Sequence, residues 1–101
     1  MIALVVRFTA KPGTEAEVKR LIGLMEHHTR QEPGCHAYIG LQSLEDAFAF
    51  SFYEEYDDQA ALDAHWASSY FAEYVTNGLA LHMETSHPVE RKLYTVVSEP
   101  A

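Results

Sequence analysis

Apolar and polar residues alternate from Ile2 to about Ala10, with Ile2, Leu4, Val6 and Phe8 on one face and Ala3, Val5 and Arg7 on the other. That period of two predicts a strand. After Lys11-Pro12-Gly13 the period changes: Val18, Leu21, Ile22 and Met25 recur at i, i+3, i+4 and i+7, predicting a helix that ends near Arg30 or Gln31. Thr14 and Glu17 have capping-box spacing at its start, and Pro33-Gly34 stops it. A second strand from about Cys35 to Leu44, a turn at Glu45-Asp46 and a third strand from about Phe48 to Tyr56 form a predicted hairpin. Asp57 or Asp58 caps a short helix through Trp66, and Ser68 or Ser69 caps a further segment holding Phe71, Tyr74 and Val75. Asn77-Gly78 is a turn signal that weakens or ends it. Glu84 to Pro88 reads as a loop, and Val89 to about Ser98 as the last strand.

The order βαββ(αα)β predicts one α+β domain over residues 1–101: a ferredoxin-like βαββαβ sandwich with a four-stranded antiparallel sheet and its second helix split in two. Helices on one side cover only one sheet face, yet the strands are apolar on both. Phe48, Phe50 and Phe52 point one way, Ala49 and Tyr53 the other, and Val5, Val96 and Val97 add to the excess. A solvated antiparallel face alternates more cleanly. The uncovered face is therefore expected to meet a second copy of the chain, giving a homodimer.

At 101 residues and 48% apolar composition the chain supports one core. No apolar run approaches the ~18 residues of a membrane span, and Ile2-Ala3-Leu4-Val5-Val6 lacks the basic start of a signal peptide. A cytoplasmic location is expected, and the single cysteine, Cys35, agrees with a reducing compartment. Seven Lys/Arg against fifteen Asp/Glu give a net charge of −8, with no basic cluster. Such a surface disfavours nucleic acid and anionic membranes and leaves a neutral small molecule or a protein as partner.

Phe50, Phe52, Glu54 and Tyr56 share one face of the third strand. A carboxylate among aromatics is costly unless paired or wet. Glu54 is either a pocket-wall acid fit for proton transfer or an exposed partner of a lysine or arginine. Leu62, His65 and Trp66 share the apolar face of the short helix. His65 there either meets a ligand oxygen or is satisfied by backbone, and Trp66 is core or pocket wall. His27-His28 point about 100° apart on a helix. His36, His82 and His87 are scattered, so no metal site is predicted. The five glycines form neither G-x-G-x-x-G nor G-x-x-x-x-G-K, which leaves no dinucleotide or phosphate loop.

Three stretches together carry a family likeness: Glu32-Pro33-Gly34-Cys35-His36-Ala37-Tyr38, Tyr53-Glu54-Glu55-Tyr56 and Ala64-His65-Trp66-Ala67-Ser68-Ser69-Tyr70-Phe71. The chain resembles the antibiotic biosynthesis monooxygenase (ABM) domain family, with its E-P/E-G-C-x-x-Y turn, Y-E-x-W strand end and A-H-x-x-S-x-x-F helix junction. The resemblance implies a dimeric α+β barrel paired through its sheet faces. It also implies a cofactor-independent monooxygenase acting with molecular oxygen on quinol-like or polycyclic phenolic substrates, without flavin, haem or metal. For such an oxygenase Phe52, Leu62, Trp66 and Phe71 are the expected substrate-binding residues and His65, Tyr56 and Glu54 the catalytic candidates: Tyr56 and His65 position the phenol and a neutral His65 imidazole accepts its proton, with Glu54 the next candidate for that role. Tyr56 stands where the family usually has tryptophan. The haem-degrading branch is disfavoured, because Val6, His65 and Val75 occupy the places of its asparagine, tryptophan and haem-ligating histidine. Isomerisation of a small carbonyl metabolite and a non-catalytic dimeric binding or stress-response role are the alternatives on the same fold.

Overall fold

The computed structural model describes residues 1–98. Its strands are β1 (Ile2–Thr9), β2 (Cys35–Gln42), β3 (Ala49–Tyr56) and β4 (Glu90–Thr95), all antiparallel in the order β2-β3-β1-β4. Helix α1 (Glu15–Thr29) makes the first crossing. The second is broken into α2 (Gln59–Trp66), the single turn α3 (Ser69–Phe71) that runs on as a π turn over Ala72–Thr76, and a 3₁₀ turn at Leu79–His82. This is the ferredoxin-like α+β sandwich with a split second helix. No helix among the described residues is long and apolar enough to cross a membrane.

The alternation along β1 and β3 places the core. Val6 lies opposite Phe52 and Phe8 opposite Phe50, so the same face carries all four. The Phe8 and Phe50 rings stack with centroids 5.6 Å apart. Val18, Leu21, Ile22 and Met25 of α1 bury against this face, and Leu62 and Leu79 complete it. Glu54 interrupts the apolar row, opposite Leu4 on one side and Tyr38 on the other.

Local chemistry departs from the sequence expectation at three places. Thr14 sits at the α1 N-cap but makes no capping bond. Its hydroxyl donates instead to the Lys11 carbonyl at 2.7 Å, Glu17 takes the Arg20 guanidinium, and Glu15 accepts the Gly13 N–H at 3.0 Å. The capping box is thus replaced by contacts within the preceding turn. β2 stops at Gln42, two residues before Leu44, because Ser43 Oγ accepts the N–H groups of Glu45 and Asp46 and turns the chain. β4 stops at Thr95; the Val96 N–H still bonds the Met1 carbonyl at 3.1 Å, and Val97 beyond it is exposed.

Two close approaches set the helices over the sheet. A Cβ on Gly40 would stand 2.4 Å from Ile22 Cγ2 of α1, and one on Gly34 would stand 2.6 Å from Ala61 Cβ of α2. The Gly34 carbonyl also accepts the Asp57 N–H at 2.9 Å, which ties the start of β2 to the end of β3. Ala61 has no rotamer with which to yield, so Gly34→Ala is expected to lower stability by about 1–3 kcal/mol. A Cβ on Gly23 of α1 meets nothing within 4 Å, and Gly23→Ala is expected to raise stability by roughly 0.5–1 kcal/mol. Urea midpoints of the two variants check the pair; a neutral Gly34→Ala would contradict the close seating of α2.

Candidate active site

The site forms where β3, α2 and the α1–β2 turn meet. Asp58 starts α2 by accepting the Ala61 N–H at 2.9 Å. In the last turn of the helix, one residue before its end, His65 is carried inward and is 1% exposed. Ser68 makes the corner into α3: its hydroxyl donates to the His65 carbonyl at 2.7 Å and accepts the Phe71 N–H at 3.2 Å. The imidazole is boxed by the rings of Tyr38, Tyr56 and Phe71, with centroids 5.7, 5.4 and 5.4 Å away. β2 reaches this box through a bulge: Cys35 pairs with Tyr56 and Ala37 with Glu55, leaving His36 as the extra residue. The displaced His36 imidazole pairs with Asp57 at the surface.

A chain of polar groups runs through the apolar box. The Tyr56 hydroxyl donates to Glu54 Oε1 at 2.5 Å. The same oxygen lies 3.8 Å from His65 Nε2, and His65 Nδ1 lies 2.9 Å from Glu32 Oε2. The Tyr70 hydroxyl donates to that same Glu32 oxygen. An ionised carboxylate only accepts, so this geometry assigns the ring proton to Nδ1 and turns the Nε2 lone pair toward Glu54.

Burial sets the protonation of the remaining groups. Glu54 is 3% exposed. Loss of water raises its carboxyl to about 7; the Tyr56 hydrogen bond opposes the rise, the Glu32 charge adds to it and Arg91 opposes it. The Tyr56 phenol is pushed far above its ordinary value by burial and then by Glu54, which makes it a fixed donor. Tyr38 moves the same way for the same reasons. Burial, helped by the Glu32 charge, lifts the Cys35 thiol to about 11, so it stays protonated and is no nucleophile at neutral pH.

Glu54 reaches a cavity of about 40 Å³ between helices and sheet, partly open to solvent. Leu4, Val6 and Phe52 line its sheet side and Trp66, Phe71 and Val75 its helical side, with Glu54 and Arg91 as the charged groups. The space holds a few waters and falls well short of the ~150 Å³ that takes a benzene ring. A larger groove of about 340 Å³ between Arg20 and Glu73 is open to solvent and has no buried carboxylate or imidazole in its walls.

Phe52, Glu54, Trp66 and Phe71 are thus brought together at the cavity. Tyr56, Leu62 and His65 are fully buried behind that wall and do not line it. Trp66 leaves the buried face it was expected to share with Leu62 and His65 and is 38% exposed at the rim. Glu32, Tyr38, Tyr70 and Arg91 are site residues that the sequence reading passed over. Glu32 opens the turn motif, and a carboxylate just before Pro-Gly was the one available signal. Among the described residues no cluster of three or more His, Cys, Asp or Glu is placed to hold a metal ion.

Fold and site together define a small α+β domain enclosing an acid–base group in an aromatic cavity between sheet and helices. The chain belongs to the antibiotic biosynthesis monooxygenase family, whose sequence profile matches residues 1–77. It is similar to a crystal structure of an antibiotic biosynthesis monooxygenase, with 32% identity, a TM-score of 0.87, and 97% of this chain and 100% of that one covered. It is also similar to a conserved protein of Methanosarcina mazei Go1, with 27% identity, a TM-score of 0.84, and 92% and 89% of the two chains covered. Over 86 residues it is 31% identical to the uncharacterized protein sll1783 of Synechocystis sp., covering 85% of this chain. The match spans 56% of that curated relative's length, a little over half.

The raised Glu54 carboxyl has a consequence for folding. Between about pH 4.5 and 7 the native chain keeps a proton on Glu54 that the unfolded chain has released, so this group's contribution to stability falls as pH rises through that window. The slope is on the order of 1 kcal/mol per pH unit. Glu54→Gln is expected to gain on the wild type between pH 5 and pH 8 in urea unfolding. A constant difference across that range would contradict the raised value.

Proposed function

We propose that the protein is a cofactor-independent monooxygenase of quinol-like or polycyclic phenolic substrates. The observation that carries this reading is Glu54, a buried carboxyl raised to about 7 at the wall of an otherwise largely apolar cavity. Family membership supports it. In the reaction a ring methylene or quinol carbon is oxidised by molecular oxygen: R₂CH₂ + O₂ gives R₂C=O + H₂O. One oxygen atom enters the product, the other leaves as water, and the substrate supplies all four electrons. Glu54 takes the first proton, because a deprotonated, electron-rich ring gives up an electron to oxygen more readily. Phe52, Trp66 and Phe71 present ring faces to the substrate. Tyr56 holds the carboxyl in place, and Leu62 packs behind.

The substrate enters by displacing the helical wall. That wall is made by half-exposed Trp66 and by the π turn carrying Val75, an irregular helix of the kind found at functional sites. Val6 and Val75 supply no ligating atom to the cavity, which disfavours haem chemistry there. A second reading, isomerisation of a small carbonyl compound, draws on the same poised carboxyl, which shuttles a proton between carbons without oxygen.

The open sheet face supports a homodimer. It presents half-exposed Ile39, Leu41 and Tyr94 beside Arg7 and Glu90, which lie 4.0 Å apart and offer both charges for self-complementary pairing. Light scattering at micromolar concentration is expected to give twice the 11.4 kDa chain mass. A monomer would remove this pairing.

Oxygen uptake with a panel of naphthoquinols and anthrones is expected to match quinone or ketone formed, and to persist after chelator treatment. The rate is expected to rise with pH through about 7 as Glu54 ionises, and Glu54→Gln to cut turnover by about 10²–10⁴. Solvent deuterium entering a carbonyl substrate without oxygen uptake would favour the isomerase. Wild-type turnover in Glu54→Gln would overturn the assignment.

A further inference from the structure

We infer that Glu32 is a positioning residue that makes His65 and Glu54 a store for two protons. This rests on the reading of Glu54 as the acceptor, and deepens it. Oxidation of a methylene to a carbonyl releases two C–H protons before both leave in water, and a single carboxylate holds one. The geometry supplies a second place. Glu54 is 3% exposed at the cavity wall, its Oε1 is held by Tyr56, and among the described residues the other proton acceptor beside it is His65 Nε2 at 3.8 Å. That nitrogen is an acceptor only because Nδ1 keeps its proton against Glu32 Oε2 at 2.9 Å.

Once the side chains close the 3.8 Å gap to hydrogen-bond distance, the first proton passes from Glu54 to Nε2: the O–H bond breaks, the N–H bond forms, and the carboxylate is free to take the second. Nothing is oxidised or reduced in this step, and both protons return by the same path to the oxygen that leaves as water. The imidazolium formed lies against the Glu32 carboxylate, whose 16% exposed side chain is the outer end of the chain of groups. The titratable and charged neighbours of the Glu54–His65 pair are Tyr38 and Cys35 from β2, Tyr56 from β3, Arg91 from β4, and Glu32 with its Tyr70 partner. Of these, Glu32 alone bonds the ring nitrogen.

Nitrogen-15 NMR of the histidine-labelled, substrate-free protein tests the arrangement without any activity. His65 is expected as the Nδ1–H tautomer in the wild type and in Glu32→Gln, which keeps the acceptor, and as a mixture in Glu32→Ala. An Nε2–H tautomer in the wild type, or an unchanged tautomer in Glu32→Ala, would overturn the inference. With a quinol that is turned over, Glu32→Gln is expected to lower kcat roughly tenfold or more, equal to ~1.4 kcal/mol, at unchanged KM, with Glu32→Asp recovering part of it. Wild-type kcat in Glu32→Gln would overturn the role. Failure of every quinol sinks the monooxygenase reading, while the tautomer measurement still decides the Glu32–His65–Glu54 arrangement.

Discussion

A carboxyl group on the core face of a central strand is the constraint around which this domain is arranged. Glu54 has Leu4 and Tyr38 as its cross-strand neighbours and is almost without contact with water. An ionised carboxylate there is expensive unless matched. The fold offers one strong hydrogen bond from Tyr56 and a distant positive charge at Arg91. That is too little to hold the group fully ionised and enough to bring its titration near neutrality.

The surrounding packing follows from that compromise. Gly34 lets α2 come close to the α1–β2 turn, and this seating brings His65 within hydrogen-bond reach of Glu32 across 33 residues of sequence. The β2 bulge lets Cys35 and Tyr38, three residues apart, face the same side, so that Tyr38 roofs the imidazole. On the far side the regular helix ends at Trp66. A capped single turn and a π turn take over, giving the cavity a wall of rings and valine in place of a close-packed helix. A buried carboxyl and imidazole thus meet an irregular helical wall.

Much of this was legible along the chain. The alternation in β1 and β3 and the helical period of α1 carry the core directly, and Asp58 and Ser68 act as the caps their positions suggest. Glu54 stood out because it breaks an aromatic row. The site was less legible where it depends on tertiary contact. The sequence leaves His65 open between a ligand contact and a backbone-satisfied histidine; it lies one layer behind the cavity, since a histidine near a helix end points wherever the corner after it sends the helix. Glu32 finds its partners 33 and 38 residues away, so no local spacing could show them. Arg91 meets the cavity only through the register of β4 beside β1. The capping box failed for a local reason: the Lys11 carbonyl lies within reach of the Thr14 hydroxyl and wins it.

The central claim is that Glu54 exchanges its proton near neutral pH at the wall of a small, largely apolar cavity. Isotope-edited infrared spectroscopy of the glutamate carboxyls, taken as a difference between wild type and Glu54→Gln, reads that proton directly. The account predicts a protonated-acid C=O band assigned to Glu54 at pH 6 that gives way to carboxylate bands by pH 8. A Glu54 already present as carboxylate at pH 5 would contradict it.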